Sequence, residues 1–211
     1  MTQKASYVRE VIARLEKAYP DARIALHFSN PLELLVSVIL SAQSTDVGVN
    51  KLTPALFARY RSVKDYADAD ISELENLIHS AGFFHNKAKS IKGAARVMIE
   101  NYGGKVPHTM EEIITLPGVA RKTGNIVLSN AYGIIEGIAV DTHVRRVSLR
   151  LGLTGYEDPE KIEKDLMAVV PRSKWGNFPY LLIELGRSAC TARRAKHGEC
   201  VLEDICPKNH T

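Results

Sequence analysis

Pro31 to Ser41 constrains the fold more than any other stretch of this chain. It follows Asn30 and reads Pro-Leu-Glu-Leu-Leu-Val-Ser-Val-Ile-Leu-Ser, apolar on nearly every side. Asn30-Pro31 is a helix start, with a side-chain acceptor at the cap and proline at the first helical position. A helix apolar nearly all round has no face to give to water, so other helices must surround it. The sequence supplies candidates. Val8, Val11, Ile12 and Leu15 recur at helical spacing and predict a helix from about Ser6 to Ala18, ended by Tyr19-Pro20. Further helices are expected over Val47 to Tyr60, Asp70 to Ile78, Asn86 to Asn101, Met110 to Thr115 and Lys122 to Tyr132. Three more run from Asp141 to Leu151, from Pro159 to Val170, and to Arg187 after Lys174-Trp175-Gly176-Asn177-Phe178. Thr45 or Asp46 would cap one of these, Asp70 or Ser72 another, and Thr109 to Glu112 reads as a capping box. No stretch alternates with the period of a sheet. The expected fold class is all-α, with about ten helices.

At 211 residues, 45% apolar and 25% charged, the chain has room for one large or two small domains with real cores. A net charge of +4 is compatible with a polyanion partner but does not select one. No secretory signal is visible after Met1, and Leu34 to Leu40 is too short to cross a bilayer. A cytoplasmic, monomeric protein without membrane attachment is expected.

Leu116-Pro117-Gly118-Val119-Ala120-Arg121-Lys122-Thr123-Gly124 sets a Pro-Gly turn between two helical segments. Glycine lets the backbone turn tightly and approach another molecule. The amides after the turn open a helix, a ready anion site. If the anion is a nucleic-acid phosphate, the motif is a helix-hairpin-helix. Lys122 sits in the first turn of that second helix, where the helix dipole and Arg121 oppose its charge and favour the neutral amine a nucleophile needs. A lysine here is by itself more often solvated or bound to phosphate, and Asp141 by itself more often a helix cap. Together they supply an amine and a carboxylate that a compact helical fold could set across one cleft.

Two further segments stand out. Gly82-Phe83-Phe84-His85-Asn86-Lys87-Ala88-Lys89 carries paired aromatics beside basic residues, unusual for a plain loop. All three cysteines, Cys190, Cys200 and Cys206, fall near the end of the chain. A disulfide framework would spread an even number through a small secreted chain, so their clustering favours a metal or cluster site.

Leu116 to Asn125, with Val140-Asp141-Thr142-His143-Val144-Arg145-Arg146-Val147, closely resembles the endonuclease III family. These are DNA glycosylases with apurinic/apyrimidinic-site lyase activity, in the helix-hairpin-helix, Gly/Pro-Asp superfamily. The resemblance extends to Ser41-Ala42-Gln43-Ser44-Thr45-Asp46, to the Gly82–Ala88 segment and to the C-terminal cysteines, so it covers essentially the whole chain. It implies two helical lobes flanking a DNA-binding groove. Residues 25–135 would form a six-helix lobe containing the hairpin; residues 1–24 and 136–211 would form the second lobe with a C-terminal iron-sulfur loop. Lys122 matches the family's Schiff-base lysine and Asp141 its essential aspartate, with oxidised pyrimidines in duplex DNA as the implied substrate. Gln43 and Phe83 fall at its gap-filling positions, although the family usually carries leucine where Phe83 stands. Asp46 matches a residue near the DNA or lesion, or only caps its helix. His85, Lys87, Gly118, Ala120, Arg121 and Thr123 are further expected DNA contacts. Ala120 replaces a more frequent glycine, at a cost on the order of 1 kcal/mol if that position needs a positive φ.

The family's [4Fe-4S] pattern is Cys-x6-Cys-x2-Cys-x5-Cys. This chain reads Cys190-x6-His197-x2-Cys200-x5-Cys206, with every spacing kept and histidine as the second ligand. Imidazole in place of thiolate would raise the cluster's reduction potential. The alternative is a lost cluster, leaving packing thiols or an opportunistic zinc site. Arg187, Arg193, Arg194 and Lys196 surround these positions, and a cluster would shape them into a basic loop against DNA. Two other functions compete: a non-catalytic helix-hairpin-helix module for DNA binding or damage sensing, and an adenine glycosylase of the same superfamily. The first would not need Lys122 paired with Asp141. The second lacks the lysine and usually carries an extra C-terminal domain.

Overall fold

The computed structural model describes residues 3–207, and among them there are 11 α-helices, three short 3₁₀ turns and no strand. The helices are α1 Gln3–Ala18, α2 Pro31–Ser41, α3 Asp46–Arg59, α4 Val63–Asp68, α5 Ile71–Ile78, α6 Phe84–Tyr102, α7 Met110–Ile113, α8 Arg121–Tyr132, α9 Thr142–Arg150, α10 Pro159–Val169 and α11 Phe178–Ser188. They divide into two compact units, Ala25–Glu136 and Met1–Ile24 with Gly137–Thr211.

The unit Ala25–Glu136 is built around α2. Every residue from Leu34 to Leu40 is buried, and α8, α3 and α6 pack on this helix. Asn30 Oδ1 accepts from the Glu33 amide at 3.0 Å, so the cap that the sequence implies is made. Thr45, not Asp46, caps α3 by accepting from the Gly48 amide at 3.1 Å; Asp46 is the first helical residue. Asp70, not Ser72, caps α5. This unit holds seven helices, one more than expected. The addition is α4, where Ser62 and Asp65 form a reciprocal capping box and Val63, Tyr66 and Ala67 are buried, mostly against α6. A six-residue helix carries too little periodicity to stand out in sequence.

In the other unit, α9 packs on α11, and α1 lies against α10 and α11. Val8, Val11, Ile12 and Leu15 of α1 meet Val144 and Val147 of α9, Ile162 and Leu166 of α10, and Phe178, Leu181, Leu182 and Leu185 of α11 in one core. Cys190, Cys200 and Cys206 are half-buried against that core.

Two substitutions separate burial from capping. Leu34→Ala should lower unfolding stability by about 2–5 kcal/mol, because Leu34 is fully buried. Asn30→Ala should cost about 1 kcal/mol. Chemical denaturation reads both.

Candidate active site and cluster loop

The hairpin begins with α7, capped by Thr109, whose Oγ1 accepts from the Glu112 amide at 3.3 Å. Its chain then turns at Leu116-Pro117-Gly118-Val119. The Val119 amide donates to Leu116 O at 3.0 Å, and Gly118 has φ +78°. Proline at the second position and a positive φ at the third are the pattern of a type II turn. Leu116 and Val119 are buried, which roots the turn in the core. Its tip packs on α6: a Cβ at Gly93 would lie 3.3 Å from Pro117 Cγ, and one at Gly118 only 2.6 Å from Ser90 Cβ. At Gly124, α8 crosses α7 so closely that a Cβ would lie 2.8 Å from Met110 Sδ.

Ala120 ends the turn at φ −94°, ψ 172°. That is ordinary extended backbone, so alanine carries none of the strain considered for this position. Ala120 is the N-cap of α8 and its side chain caps nothing, leaving first-turn amides for an external acceptor such as a phosphate. Lys122 and Thr123, in that first turn, are half-buried; Gly118 and Ala120 are exposed and Arg121 is half-buried.

Two loops of the same unit carry other expected contacts. Gln43 is exposed with φ 54°, and Phe83, the N-cap of α6, is 64% exposed with φ 48°. These are the two non-glycine residues with positive φ among the described residues. His85 is exposed, 2.8 Å from Glu75 Oε2 through Nδ1, with its ring 4.1 Å from that of Phe84 and tilted by 39° to it. Asp46 is half-buried at the start of α3. Lys87 corrects the sequence reading. It is only 5% exposed, and its ammonium donates to Leu40 O, Ser44 Oγ and Ala81 O, so it is no surface phosphate contact. Helical phase turns it inward while Asn86 and Lys89 stay out.

Asp141 belongs to the other unit and is the N-cap of α9. Its Oδ1 accepts from the Val144 amide at 2.8 Å, while Oδ2 lies 3.3 Å from His143 Nδ1. One oxygen therefore fixes the carboxylate at the cap and the other faces the His143 ring, with the Asp141 side chain 24% exposed. At the far end of α9, Arg146 donates to Gly186 O at 3.0 Å and Cys190 O at 3.2 Å. Arg150 donates to Thr191 O at 2.7 Å and reaches Cys190 Sγ at 3.4 Å. The sequence reading passed over both arginines. Their spacing of four, on the face that carries no core residue, was the available signal.

Cys190, His197, Cys200 and Cys206 line one recess of about 400 Å³, counting its open mouth, with Arg150, Leu185 and Lys196 among its other walls. Among the described residues no three His, Cys, Asp or Glu side chains gather as closely as one metal ion requires. Outside that lining, Tyr7 packs on the core of the same unit, and its hydroxyl is buried without a hydrogen-bond partner among the described residues. Its own burial, then nearby Cys206 and Cys200, push that phenol up to about 12. Around the recess Arg187, Arg193, Arg194 and Lys196 are exposed; Lys196 lies 3.2 Å from Glu199 and Arg187 3.5 Å from Glu184.

The turn between α7 and α8 is a helix-hairpin-helix, and residues 36–172 match the HhH-GPD superfamily of base excision DNA repair proteins. The chain is 52% identical over 207 residues to the endonuclease III of Synechocystis, spanning 98% of this chain and 94% of that one. It is 37% identical to the Escherichia coli endonuclease III, over 93% of each. A solved structure of a trapped endonuclease III–DNA covalent intermediate superposes with a TM-score of 0.93 at 41% identity, covering 99% of this chain and 98% of that one. The chain belongs to the endonuclease III family, which commonly binds a [4Fe-4S] cluster.

The contrast between Gly118 and Ala120 is testable. Gly118→Ala should destabilise by at least about 2 kcal/mol, from the positive φ plus the Ser90 clash. Ala120→Gly should also destabilise, by about 0.4–1 kcal/mol, because it only loosens the unfolded chain. A gain in stability from glycine at position 120 would contradict the extended geometry there.

Proposed function

We propose that this base-excision DNA glycosylase and apurinic/apyrimidinic lyase removes oxidised pyrimidines from duplex DNA with Lys122 as nucleophile and Asp141 as its carboxylate. What carries this reading is Lys122 in the first turn of α8, in a chain 41% identical to an endonuclease III solved as a covalent intermediate with DNA. Covalent capture is what an attacking amine produces.

The damaged nucleotide is first taken out of the stack, since C1′ is unreachable inside the duplex. The amides at the start of α8 hold a backbone phosphate beside the hairpin, and Gln43 and Phe83 fill the space the nucleotide leaves. The neutral Lys122 amine attacks C1′; the bond to the base breaks and the base departs with its electron pair, taking up a proton. Asp141 Oδ2 stabilises the positive charge that builds on the sugar. The C1′–O4′ bond then breaks as a proton of the attached amine passes to O4′, leaving a protonated imine between Nζ and C1′ that acidifies the C2′ proton. Loss of that proton to a base expels the 3′ phosphate, cutting the strand by β-elimination.

Cys190, His197, Cys200 and Cys206 would hold the cluster, because four donors around one recess suit a multinuclear body better than one ion. When bound, the cluster supplies structural order. Arg187, Arg193, Arg194 and Lys196 do the recognition, contacting phosphates without reading sequence.

Borohydride added to enzyme on abasic or thymine-glycol duplex should trap a protein–DNA adduct that Lys122→Ala abolishes. An unaltered adduct in that variant would remove Lys122 from the role. Asp141→Asn retains a capping oxygen, so thermal stability should change little while turnover falls by about 10²–10⁴. The purified protein should absorb broadly in the visible, His197→Ala should weaken the band, and His197→Cys should lower the reduction potential. A colourless wild type would remove the cluster.

A further inference from the structure

Lys87 is a buried cation whose hydrogen-bond acceptors are all neutral. Its three N–H groups meet Ala81 O at 2.6 Å, Leu40 O at 2.7 Å and Ser44 Oγ at 2.8 Å. Burial alone lowers its pKa. A desolvated ammonium persists in such a site only when fully hydrogen-bonded, which ties the oxygens to it as firmly as it is tied to them. Leu40 O lies in the last turn of α2, which carries no basic residue of its own, so Lys87 also supplies the cation that a helix C-terminus favours. Ala81 O ends the 3₁₀ turn His79–Ala81, and Ser44 Oγ donates to the same oxygen.

Two loops leave this fastening, and each goes left-handed within two residues of it. Gln43 stands beside Ser44, and Phe83 two residues after Ala81; their φ values are 54° and 48°. Side chains other than glycine adopt that conformation rarely and keep it only when the surroundings over-determine it. Phe83 projects into solvent, a poor position for a large apolar ring that has no other use.

We propose that Lys87 is a positioning residue that yokes the two loops, so that Gln43 and Phe83 enter the opened duplex as one rigid, two-pronged wedge. The proposal rests on the reading of those two residues as gap fillers. A wedge set in advance avoids the entropy loss of ordering two loops on the DNA.

The test compares strand cutting in a single turnover on an abasic duplex and on the same abasic strand alone, which needs no unstacking. Fluorescence of 2-aminopurine beside the abasic site reports the opened stack. Lys87→Met should cut the duplex about tenfold to a hundredfold more slowly, lower the fluorescence rise, and leave the single strand unaffected. Gln43→Ala and Phe83→Ala should each slow duplex cutting in the wild type and add little to Lys87→Met. Equal losses on duplex and single strand, or none on the duplex, would overturn the yoke. Should Lys87→Met fail to fold, Ser44→Ala, which removes one acceptor, should shift the duplex-to-single-strand ratio in the same direction, and an unchanged ratio would refute the proposal. If Gln43→Ala and Phe83→Ala both leave duplex cutting intact, the gap-filling reading itself fails, whatever Lys87 does.

Discussion

Every α-helix leaves its first N–H groups and last C=O groups without internal partners, and here that constraint organises both units. Eleven helices among the described residues give many such ends, and several residues of the proposed site, Lys122, Asp141 and Phe83 among them, stand at or beside them. The structural ends are closed from within: Asn30 on α2, Thr45 on α3, Ser62 on α4, Asp70 on α5 and Asp158 on α10 accept first-turn amides. The start of α8, like those of α6 and α11, is not closed by a side chain of its N-cap residue, and Ala120 could not do so. What sets the α8 start apart is the exposed Pro-Gly turn before it, which lets an acceptor from outside approach. The C-terminal end of α2 is closed from another helix by Lys87, and that remote closure is what links two loops.

Helix α9 carries the same logic at both ends. Asp141 caps it with one oxygen, and Arg146 and Arg150 anchor its last turns to the loop of Cys190. An aspartate whose cap bond fixes its plane cannot rotate its second oxygen freely, which is the preorganisation an electrostatic catalyst requires. The helix is also held from the cysteine side, so the order of that loop bears on the aspartate through nine residues of rigid backbone.

How much of this the sequence revealed depended on the length scale of each signal. The apolar run of α2, the long amphipathic helices and the Pro-Gly turn were legible because each is a repeated or unusual local pattern. Helix α4 was missed because six residues, with one capping box, hardly exceed the background. Lys87 was misread for a different reason: beside two aromatics and an asparagine, a lysine resembles a phosphate contact. Its partners Leu40 and Ser44 lie more than forty residues away, and no local pattern announces a long-range bond to a carbonyl. Arg146 and Arg150 were overlooked because their acceptors, the Gly186, Cys190 and Thr191 carbonyls, lie forty or more residues along the chain, beyond any local pattern.

Departures from a family pattern cost little where the position supplies something other than the expected side chain. Ala120 stands where glycine is frequent, yet its φ of −94° asks nothing of glycine, and the backbone amides after it do not depend on the residue's identity. Gly118 is the converse, since its positive φ and its contact with Ser90 both demand the missing Cβ. The same separation applies to His197. Its place in the lining of the recess is set by chain spacing and by the turn His197–Glu199, while the donor atom is a separate choice. Spacing decides whether a group of that size can be held; the donor decides its charge and reduction potential. In the proposed function a histidine there would alter the electronic character of the site without disturbing the loop that presents Arg193 and Arg194, and the loop, not the potential, would meet phosphate.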